Sequence, residues 1–558
     1  MTDLDIPLGK RTRSYRFFEM VPALVSYAGL ALLIILSLIS PLYGAIYLML
    51  VVVTVLVKAV GIAFHTIGGR MRIDRAQEVD WHRRLAELEN PVQSYKKQLK
   101  ASAPNVFGQQ AHIDNLAIIA AHPGDFPRPS DIYNAVIVAA YNESMEVLEP
   151  TIQSVASTHY DTSRLIIVLA YEQRGGSAMK RTAQKLQKQF KDTFYEFQIV
   201  EHPHDLPGEV IGKGGNITYA GRWLQGWLER KRIPLDHVIV TTLDSDNRPH
   251  RTYFDYLTYE YIVHEDRKHL AYQPVSLFLN NIWDAPAPMR VVATGNSFWN
   301  IISSMRPHTL RNFASHAQPM DALAEMNFWS TRTIVEDGHQ YWRSYFHFDG
   351  NYAVTPIYVP IYQDAVLSDT YMKTLKAQFI QLRRWAYGAS DVPYVATRVF
   401  SRRRTVPFWG GFARLARLLD GHVTLATVSL LVTFGGWVPL LINSEASHSV
   451  VANQLPQVIS IVQRIAMIGL FITVFLAFKM LPPRPERYKR HRSILMLLQW
   501  VLMPVTAVCY STASALYSQT RLLTGRYLDK FDVTDKATAE SVARAKRARA
   551  DRVVAQKK

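Results

Sequence analysis

The chain has almost no cysteine: its 558 residues include a single one, Cys509, inside an apolar run. One thiol excludes a disulfide within the chain and argues against a cysteine-based metal site. Acidic residues are also in the minority, 46 against 63 basic ones, which gives a formal net charge of +17. The basic residues cluster beside apolar runs, so this excess indicates anionic lipid headgroups and cytosolic membrane flanks rather than nucleic acid.

Charged residues are absent from one long stretch near the N-terminus, from Val21 to Val57. This stretch is about twice the 20 residues that one helix needs to cross a bilayer, and it is too long for a cleaved signal peptide. Because Pro41 and Gly44 interrupt it, we predict a hairpin of two spans within residues 21–64. Basic residues flank the hairpin on both sides, so the positive-inside rule places the region that follows in the cytosol.

Further apolar runs follow residue 420. We predict a third span at about Val423–Ile442 and a fourth at about Val458–Leu481. A fifth run, about Ile494–Tyr517, has Pro504 near its middle and precedes a strongly basic tail. Because basic segments tend to stay in the cytosol, we favour a re-entrant or interfacial hairpin here over a third C-terminal crossing.

These runs divide the chain into seven regions. They are a cytosolic segment (1–20), two transmembrane helices (21–64), interfacial or linker helices (65–130), a central domain (131–400), an amphipathic interface helix (401–420), a C-terminal membrane region (421–518) and a cytosolic tail (519–558). We therefore expect a multi-pass protein of the cell (inner or plasma) membrane, with its central domain in the cytosol.

The central domain alternates β-rich runs with helical stretches. Strands are predicted at Asn134–Ala140, Leu165–Ala170 and Val238–Leu243, with helices at Met145–Thr158 and Ala178–Phe190. Strand, helix and strand in this order predict an α/β fold with a mostly parallel sheet and helices on both faces. Ligands of such sheets bind where the carboxyl ends of the strands emerge.

Two acids flank one residue at the exit of the third predicted strand, in Asp244-Ser245-Asp246. Carboxylates at this position can hold a hard cation that bridges a diphosphate. For this motif by itself, a simple turn is an equally good explanation, because Asp and Ser favour turns. Oxygen ligands suit both Mg²⁺ and Mn²⁺, so either metal fits.

Several motifs occur in a fixed order along the central domain. They are Tyr141-Asn142-Glu143, Glu172, Lys213-Gly214-Gly215-Asn216, Asp244-Ser245-Asp246, Glu336-Asp337 and Gln381-Leu382-Arg383-Arg384-Trp385. With these motifs, over about residues 133–388, the chain resembles membrane-embedded family 2 glycosyltransferases of the cellulose synthase and hyaluronan synthase type. The resemblance implies a GT-A domain inserted between transmembrane helices. The chain departs from the family at Glu172, where an Asp is usual, and at Val335, where the family has Thr.

The resemblance also implies a role for each motif. Asp337, with Glu336 beside it, would be the catalytic base, and Asp246 with Asp244 would bind the metal. Donor and nucleotide binding would fall to Tyr141, Glu143, Glu172, Lys213, Asp244 and Arg384, and acceptor binding to Trp385 and Gln381. From residue type alone, the two acids could instead cap a helix, and Arg384-Trp385 could be a surface Arg beside a core Trp.

The tail contains Phe531-Asp532-Val533-Thr534-Asp535-Lys536, which resembles the F-x-V-T-x-K gating loop of the same family. The resemblance implies that Phe531, Val533, Thr534 and Lys536 cover the donor site, which requires a cytosolic tail. Ala537 replaces the usual Gly of the family.

Taken together, these features predict an inverting, metal-dependent transferase that adds sugar from a UDP- or GDP-sugar to a growing polysaccharide, with or without export of the product. A single addition to a lipid-linked acceptor is the main alternative. Two further alternatives are an inactive membrane scaffold and a transporter. The acids of the metal and base motifs are all present, which argues against the inactive scaffold. The sequence leaves the sugar, the linkage and any protein partners open.

Overall fold

The computed structural model describes residues 5–100, 106–444 and 450–528. At its centre is an eight-stranded sheet with the strand order β3-β2-β1-β4-β7-β6-β8-β5. The strands are β1 (Tyr133–Ala140), β2 (Leu165–Glu172), β3 (Glu196–His202), β4 (Val238–Asp244), β5 (Arg248–Pro249), β6 (Leu270–Leu277), β7 (Ala317–Pro319) and β8 (Ala353–Tyr362). Four of the seven neighbouring pairs are parallel, which confirms the mostly parallel sheet.

Helices precede, interrupt and follow the strands. The N-terminal ones are α1 (Arg13–Ile39), α2 (Pro41–Gln77), α3 (Trp81–Glu87), α4 (Pro91–Lys100) and α5 (Gln109–Ala121). Those of the central domain are α6 (Met145–Ala156), α7 (Gly176–Gln189), α8 (Lys213–Lys231), α9 (Tyr253–Val263), α10 (Ala287–Ser304), α11 (Met320–Glu325), α12 (Glu336–His347), α13 (Tyr371–Ala386) and α14 (Asp391–Val399). The C-terminal ones are α15 (Phe408–Phe434), α16 (Val438–Ile442), α17 (Val450–Met480), α18 (His491–Leu498), α19 (Met503–Thr506) and α20 (Ala513–Thr524).

Both faces of the sheet carry helices because successive side chains of a strand point to opposite sides. On β1, Val136 and Val138 pack into one apolar layer with Leu148 of α6. The alternate residue Ile137 packs into a second layer with Leu224 of α8. All of these side chains are buried. The strands are therefore apolar throughout, and this continuous pattern made the three predicted strands readable in the sequence.

Among the described residues, four helical stretches are long and apolar enough to cross a membrane: Arg13–Ile39, Pro41–Gln77, Phe408–Ile442 and His491–Thr524. The first two meet at Pro41, where the sequence predicted the hairpin. The predicted fourth span lies within α17. The predicted interface helix and the first part of the predicted third span share one helix, α15. The rest of that span continues through a 3-10 turn at Gly435–Trp437 into α16.

The last apolar run stays helical from His491 to Thr524, so the hairpin turn predicted at Pro504 is not formed. Pro504 lies in the first turn of α19, where a missing N–H is tolerated, and a π-helical turn follows at Ala507–Thr512. Near one end of the run, Arg492 donates to the carbonyl of Trp283 at 3.1 Å. Near the other end, Ser518 donates to the carbonyl of Arg383 at 2.6 Å. Contacts with the central domain at both ends favour a placement along the domain surface.

Two glycines of α8 allow a matched test of the packing on this face of the sheet. A Cβ at Gly221 would lie 2.5 Å from the ring of Phe328, which is buried. A Cβ at Gly226 would meet only the end of the Arg230 side chain at 3.5 Å. We expect Gly221→Ala to destabilise the protein by about 1–3 kcal/mol through overpacking. Gly226→Ala should instead stabilise it by up to about 1 kcal/mol. Thermal unfolding of the purified variants measures both effects, and equal shifts in Tm would contradict this packing.

Candidate active site

The carboxyl ends of β1, β2 and β4 meet at one edge of the sheet because these strands are parallel neighbours. Asn216, in the first turn of α8, donates its buried side-chain amide to the carbonyls of Ala140 at 3.3 Å and Ala170 at 3.0 Å. These two bonds tie the ends of β1 and β2 to α8. The N-terminus of α8, which begins at Lys213, therefore lies at the edge where Asp244 ends β4.

Lys213 is the central cation of this edge. Its Nζ lies 2.9 Å from Oδ1 of Asp244, 3.1 Å from Oδ2 of Asp337 and 4.0 Å from Oε1 of Glu336. Burial alone would lower the pKa of Lys213, but the attraction of Asp244 and Asp337, with Glu336 as a third contributor, outweighs burial and raises it above its ordinary value. Lys213 is therefore positively charged at neutral pH, and it brings the two predicted acidic motifs together.

Glu336 differs from the other two acids in its protonation. It is the first residue of α12 and is buried. Burial, assisted by repulsion from Asp337, raises the pKa of Glu336 to about 8, against the opposing attraction of Lys213 and Arg384. Most Glu336 side chains are therefore neutral at pH 7. The influence of Arg384 on this pKa places its guanidinium in the electrostatic range of the same cluster.

Asp246 lies in a tightly held loop after β4 and is 7% exposed. One carboxylate oxygen accepts the backbone N–H of Asp364 at 3.2 Å, and its carbonyl accepts from the side chain of Asn280 at 3.0 Å. The hydroxyl of Thr151 donates to the carbonyl of Ser245 at 2.8 Å. The first of these bonds orients the Asp246 carboxylate, and the other two hold the backbone of the loop.

Within the described ranges, no group of three His, Cys, Asp or Glu side chains is arranged to hold a metal ion. The edge offers the carboxylates of Asp244 and Asp246. Mg²⁺ is commonly bound through one or two carboxylates together with substrate phosphates and water. The donor set therefore fits a hard cation that arrives with a diphosphate, and it does not fit a metal cage made by the protein alone.

A second polar cluster lies at the ends of β1 and β2. Glu143 accepts the backbone N–H groups of Tyr141 at 2.6 Å and Asn142 at 3.2 Å, which fixes the loop after β1. Glu172 accepts from Arg174 at 3.0 Å and from His202 at 3.2 Å. The predicted residues Tyr141, Glu143 and Glu172 thus lie here rather than among the carboxylates that contact Lys213.

His202 is a member of this second cluster that the sequence motifs missed. Its other ring nitrogen lies 3.1 Å from Glu209. Burial would lower the pKa of His202, but the hydrogen bonds that its ring donates to Glu172 and Glu209 raise it to about 9, so the ring is charged at neutral pH. No spacing rule links these three residues: the pairing of β2 with β3 brings Glu172 beside His202, and the segment after β3 brings Glu209 to them.

His316 is a second residue that the motifs missed, and it lies behind the predicted base. It is fully buried, and its Nδ1 lies 3.8 Å from Oδ1 of Asp337. Trp329 donates to Nε2 of His316 at 3.1 Å, so Nδ1 carries the proton and donates to the carbonyl of Phe313 at 2.8 Å. Burial lowers the pKa of His316, which keeps this ring neutral.

The predicted acceptor residues lie on α13. Trp385 is 39% exposed, and its ring centre lies 6.0 Å from that of Phe278. Gln381 accepts from the side chain of Gln378 at 3.1 Å. The predicted gating-loop residues Phe531, Val533, Thr534 and Lys536 lie outside the described residues.

No protein-family model matches the chain, and no curated protein gives a significant match. Among solved structures, the chain is similar to the mannosyltransferase PcManGT from Pyrobaculum calidifontis in complex with GDP-Man and Mn²⁺. The two chains are 14% identical with a TM-score of 0.39, and the match covers 84% of this chain and 100% of that one. It is also similar to S. aureus TarS 1–349 in complex with UDP-GlcNAc, with 10% identity and a TM-score of 0.35 over 72% and 95% of the two chains. Because both TM-scores are below 0.5, these likenesses carry no argument about function, which rests on the site itself.

The raised pKa of Glu336 predicts a pH-dependent loss of stability. Its pKa is about 8 in the folded protein and returns to about 4.5 in the unfolded chain. Between these values the unfolded chain releases the proton and the folded protein keeps it, so the wild type loses stability as pH rises from about 5 to 8. Glu336→Gln lacks this titration. We expect the Tm of the variant to rise relative to that of the wild type across this range, whereas a constant difference would contradict the raised pKa.

Proposed function

We propose that the chain is a membrane glycosyltransferase of the GT-A type, which transfers sugar from a nucleotide-sugar to a growing polysaccharide with inversion. The proposal rests mainly on one structural observation. A single ammonium, that of Lys213, contacts both Asp244 of the metal motif and Asp337 of the base motif at the carboxyl edge of the sheet. Acids that were linked only by a sequence resemblance therefore belong to one cluster.

The proposed chemistry follows from the positions of these charges. The oxygen of an acceptor hydroxyl attacks the anomeric carbon, and the bond from that carbon to the diphosphate breaks on the opposite face. Asp337 takes the hydroxyl proton. Glu336, which is largely neutral at pH 7, adds no second charge beside this base. Negative charge grows on the diphosphate, and the fixed charges of Lys213 and Arg384 offset it.

Asp246, with Asp244, would hold Mg²⁺ or Mn²⁺ in this proposal. When bound, such an ion supplies positive charge to the oxygens of the departing diphosphate. The position of Asp246 supports this role, because bonds to its carboxylate and to its backbone carbonyl hold it in place after β4. The metal therefore depends on the donor for the rest of its ligands.

The nucleotide of a UDP- or GDP-sugar would lie over the ends of β1 and β2, where ligands of parallel sheets bind. Tyr141, Glu143 and Glu172 line this end of the edge. The acceptor would approach from α13, where the exposed ring of Trp385 offers an apolar face to a sugar ring and Gln381 offers an amide. The α/β domain would lie on the cytosolic side of the cell membrane, as its basic flanks indicate.

Removing the metal ligand or the base should abolish catalysis. We expect purified protein with Mg²⁺ or Mn²⁺ to release diphosphate from at least one nucleotide-sugar in a donor screen. Asp337→Asn should lower kcat by about 10²–10⁴-fold, the usual worth of a general base, and Asp246→Ala should also lose activity. Asp192→Asn, an exposed acid near the amino end of β3, serves as the matched control and should stay active. Full activity in both site variants would overturn the assignment.

Product size separates the polymer proposal from its main alternative, a single addition to a lipid-linked acceptor. The Gln381-to-Trp385 motif and the exposed Trp385 favour extension of a chain, since a sugar-ring platform holds a product for the next addition. We expect a ladder or a high polymer after incubation with a labelled donor. A labelled lipid that carries one sugar would instead support the alternative and would leave the site assignment intact.

A further inference from the structure

A separate cavity lies at the opposite end of the sheet from the candidate active site. Its volume is about 670 Å³, which is within the range of small-molecule sites. Ala353, at the start of β8, lines the cavity, whereas Asp364, just beyond the end of β8, contacts Asp246. A strand rises about 3.3 Å per residue, so the length of β8 puts the two places about 30 Å apart. The cavity is therefore not part of the donor site.

The cavity has a buried cation in its wall. Arg84 of α3 is 6% exposed. Its guanidinium lies 5.1 Å from the ring of Trp81, and one nitrogen donates to the side chain of Gln109 at 3.2 Å. In the part of the chain that the structure describes, Arg84 forms no ion pair with a carboxylate. A buried guanidinium without an anion is costly, because proteins normally pair such charges.

The nearest acids do not supply that anion, because other groups hold them. Glu87 lies 3.1 Å from Arg83 and 2.8 Å from His112. Glu260, which also lines the cavity, lies 3.2 Å from His264. Burial lowers the pKa of Arg84. The attraction of Glu87 and Glu260 raises this pKa, but not enough to offset the effect of burial. The guanidinium thus retains unused donors at the cavity wall.

The remaining walls are mainly apolar. They include Phe107, Val263, Pro307, Pro356 and Tyr358. An inorganic ion would leave this surface uncovered, whereas a molecule with a carbon body would cover it. We propose that the cavity binds a small organic phosphate or carboxylate, with its anionic group at Arg84 and its apolar body against Phe107, Val263 and Tyr358.

Phenyl phosphate is a suitable probe, with inorganic phosphate and the neutral phenyl glucoside for comparison. We expect the full-length protein to bind phenyl phosphate at least tenfold more tightly than either of the other two, as measured by titration calorimetry. Arg84→Gln should weaken this binding by about 10-fold or more, the loss expected for hydrogen bonds to a charged group. Lys96→Gln, which removes an exposed cation from the neighbouring helix α4, is the matched control and should bind as the wild type does.

Two further variants keep the test decisive if Arg84→Gln fails to fold. Ala111 is exposed at the cavity wall, so Ala111→Trp should fold normally and block the probe. Asp246→Ala should leave binding unchanged, which separates this cavity from the donor site. Undiminished binding in Ala111→Trp, loss of binding in Asp246→Ala, or equal affinity for inorganic phosphate would each overturn the proposal.

Discussion

The candidate site depends on one buried ammonium among three carboxyl groups. Without Lys213, Asp244 and Asp337 would lie near each other at a protein edge with no charge between them, and one of them would have to bind a proton or move away. Lys213 itself could not stay charged in its buried position without them. The cation and the acids therefore keep one another charged, and these contacts join the end of β4 to the starts of α8 and α12.

Each residue of the Lys213-Gly214-Gly215-Asn216 motif has a distinct structural role at this edge of the sheet. Lys213 supplies the charge, and Asn216 ties α8 to the ends of two strands. A Cβ at Gly214 would lie 2.3 Å from the carbonyl oxygen of Ser330, in the segment that precedes α12. A Cβ at Gly215 would lie 2.7 Å from the Glu209 carboxylate. The two glycines let the N-terminus of α8 reach both polar clusters, and a larger side chain at either position would separate them.

The sequence alone was enough to predict the inner strands β1, β2 and β4, because each is a mostly apolar run. It did not predict β5 and β7, because strands of two and three residues are too short to show a recognisable apolar pattern. The grouping of Asp244 with Asp337 could be predicted only through a family resemblance. The charge states of Glu336 and His202 could not be predicted, because burial and partners distant in the sequence set them. The run around Pro504 stays helical because the proline falls in the first turn of α19, and the interfacial placement of this run stays a prediction.

Helix α20 links α13, which carries the predicted acceptor residues, to the N-terminal helix α1. α20 packs on α13, where Ser518 bonds to the carbonyl of Arg383, the residue before Arg384. At the end of α20, Arg16 of α1 donates to the carbonyl of Leu522 at 2.5 Å. Just beyond it, the N–H of Leu528 lies 3.2 Å from the hydroxyl of Tyr387, two residues after Trp385. A shift of α1 or α20 would therefore move the Arg-Trp pair relative to Asp337, so the apolar helices set the geometry of the site as well as its location.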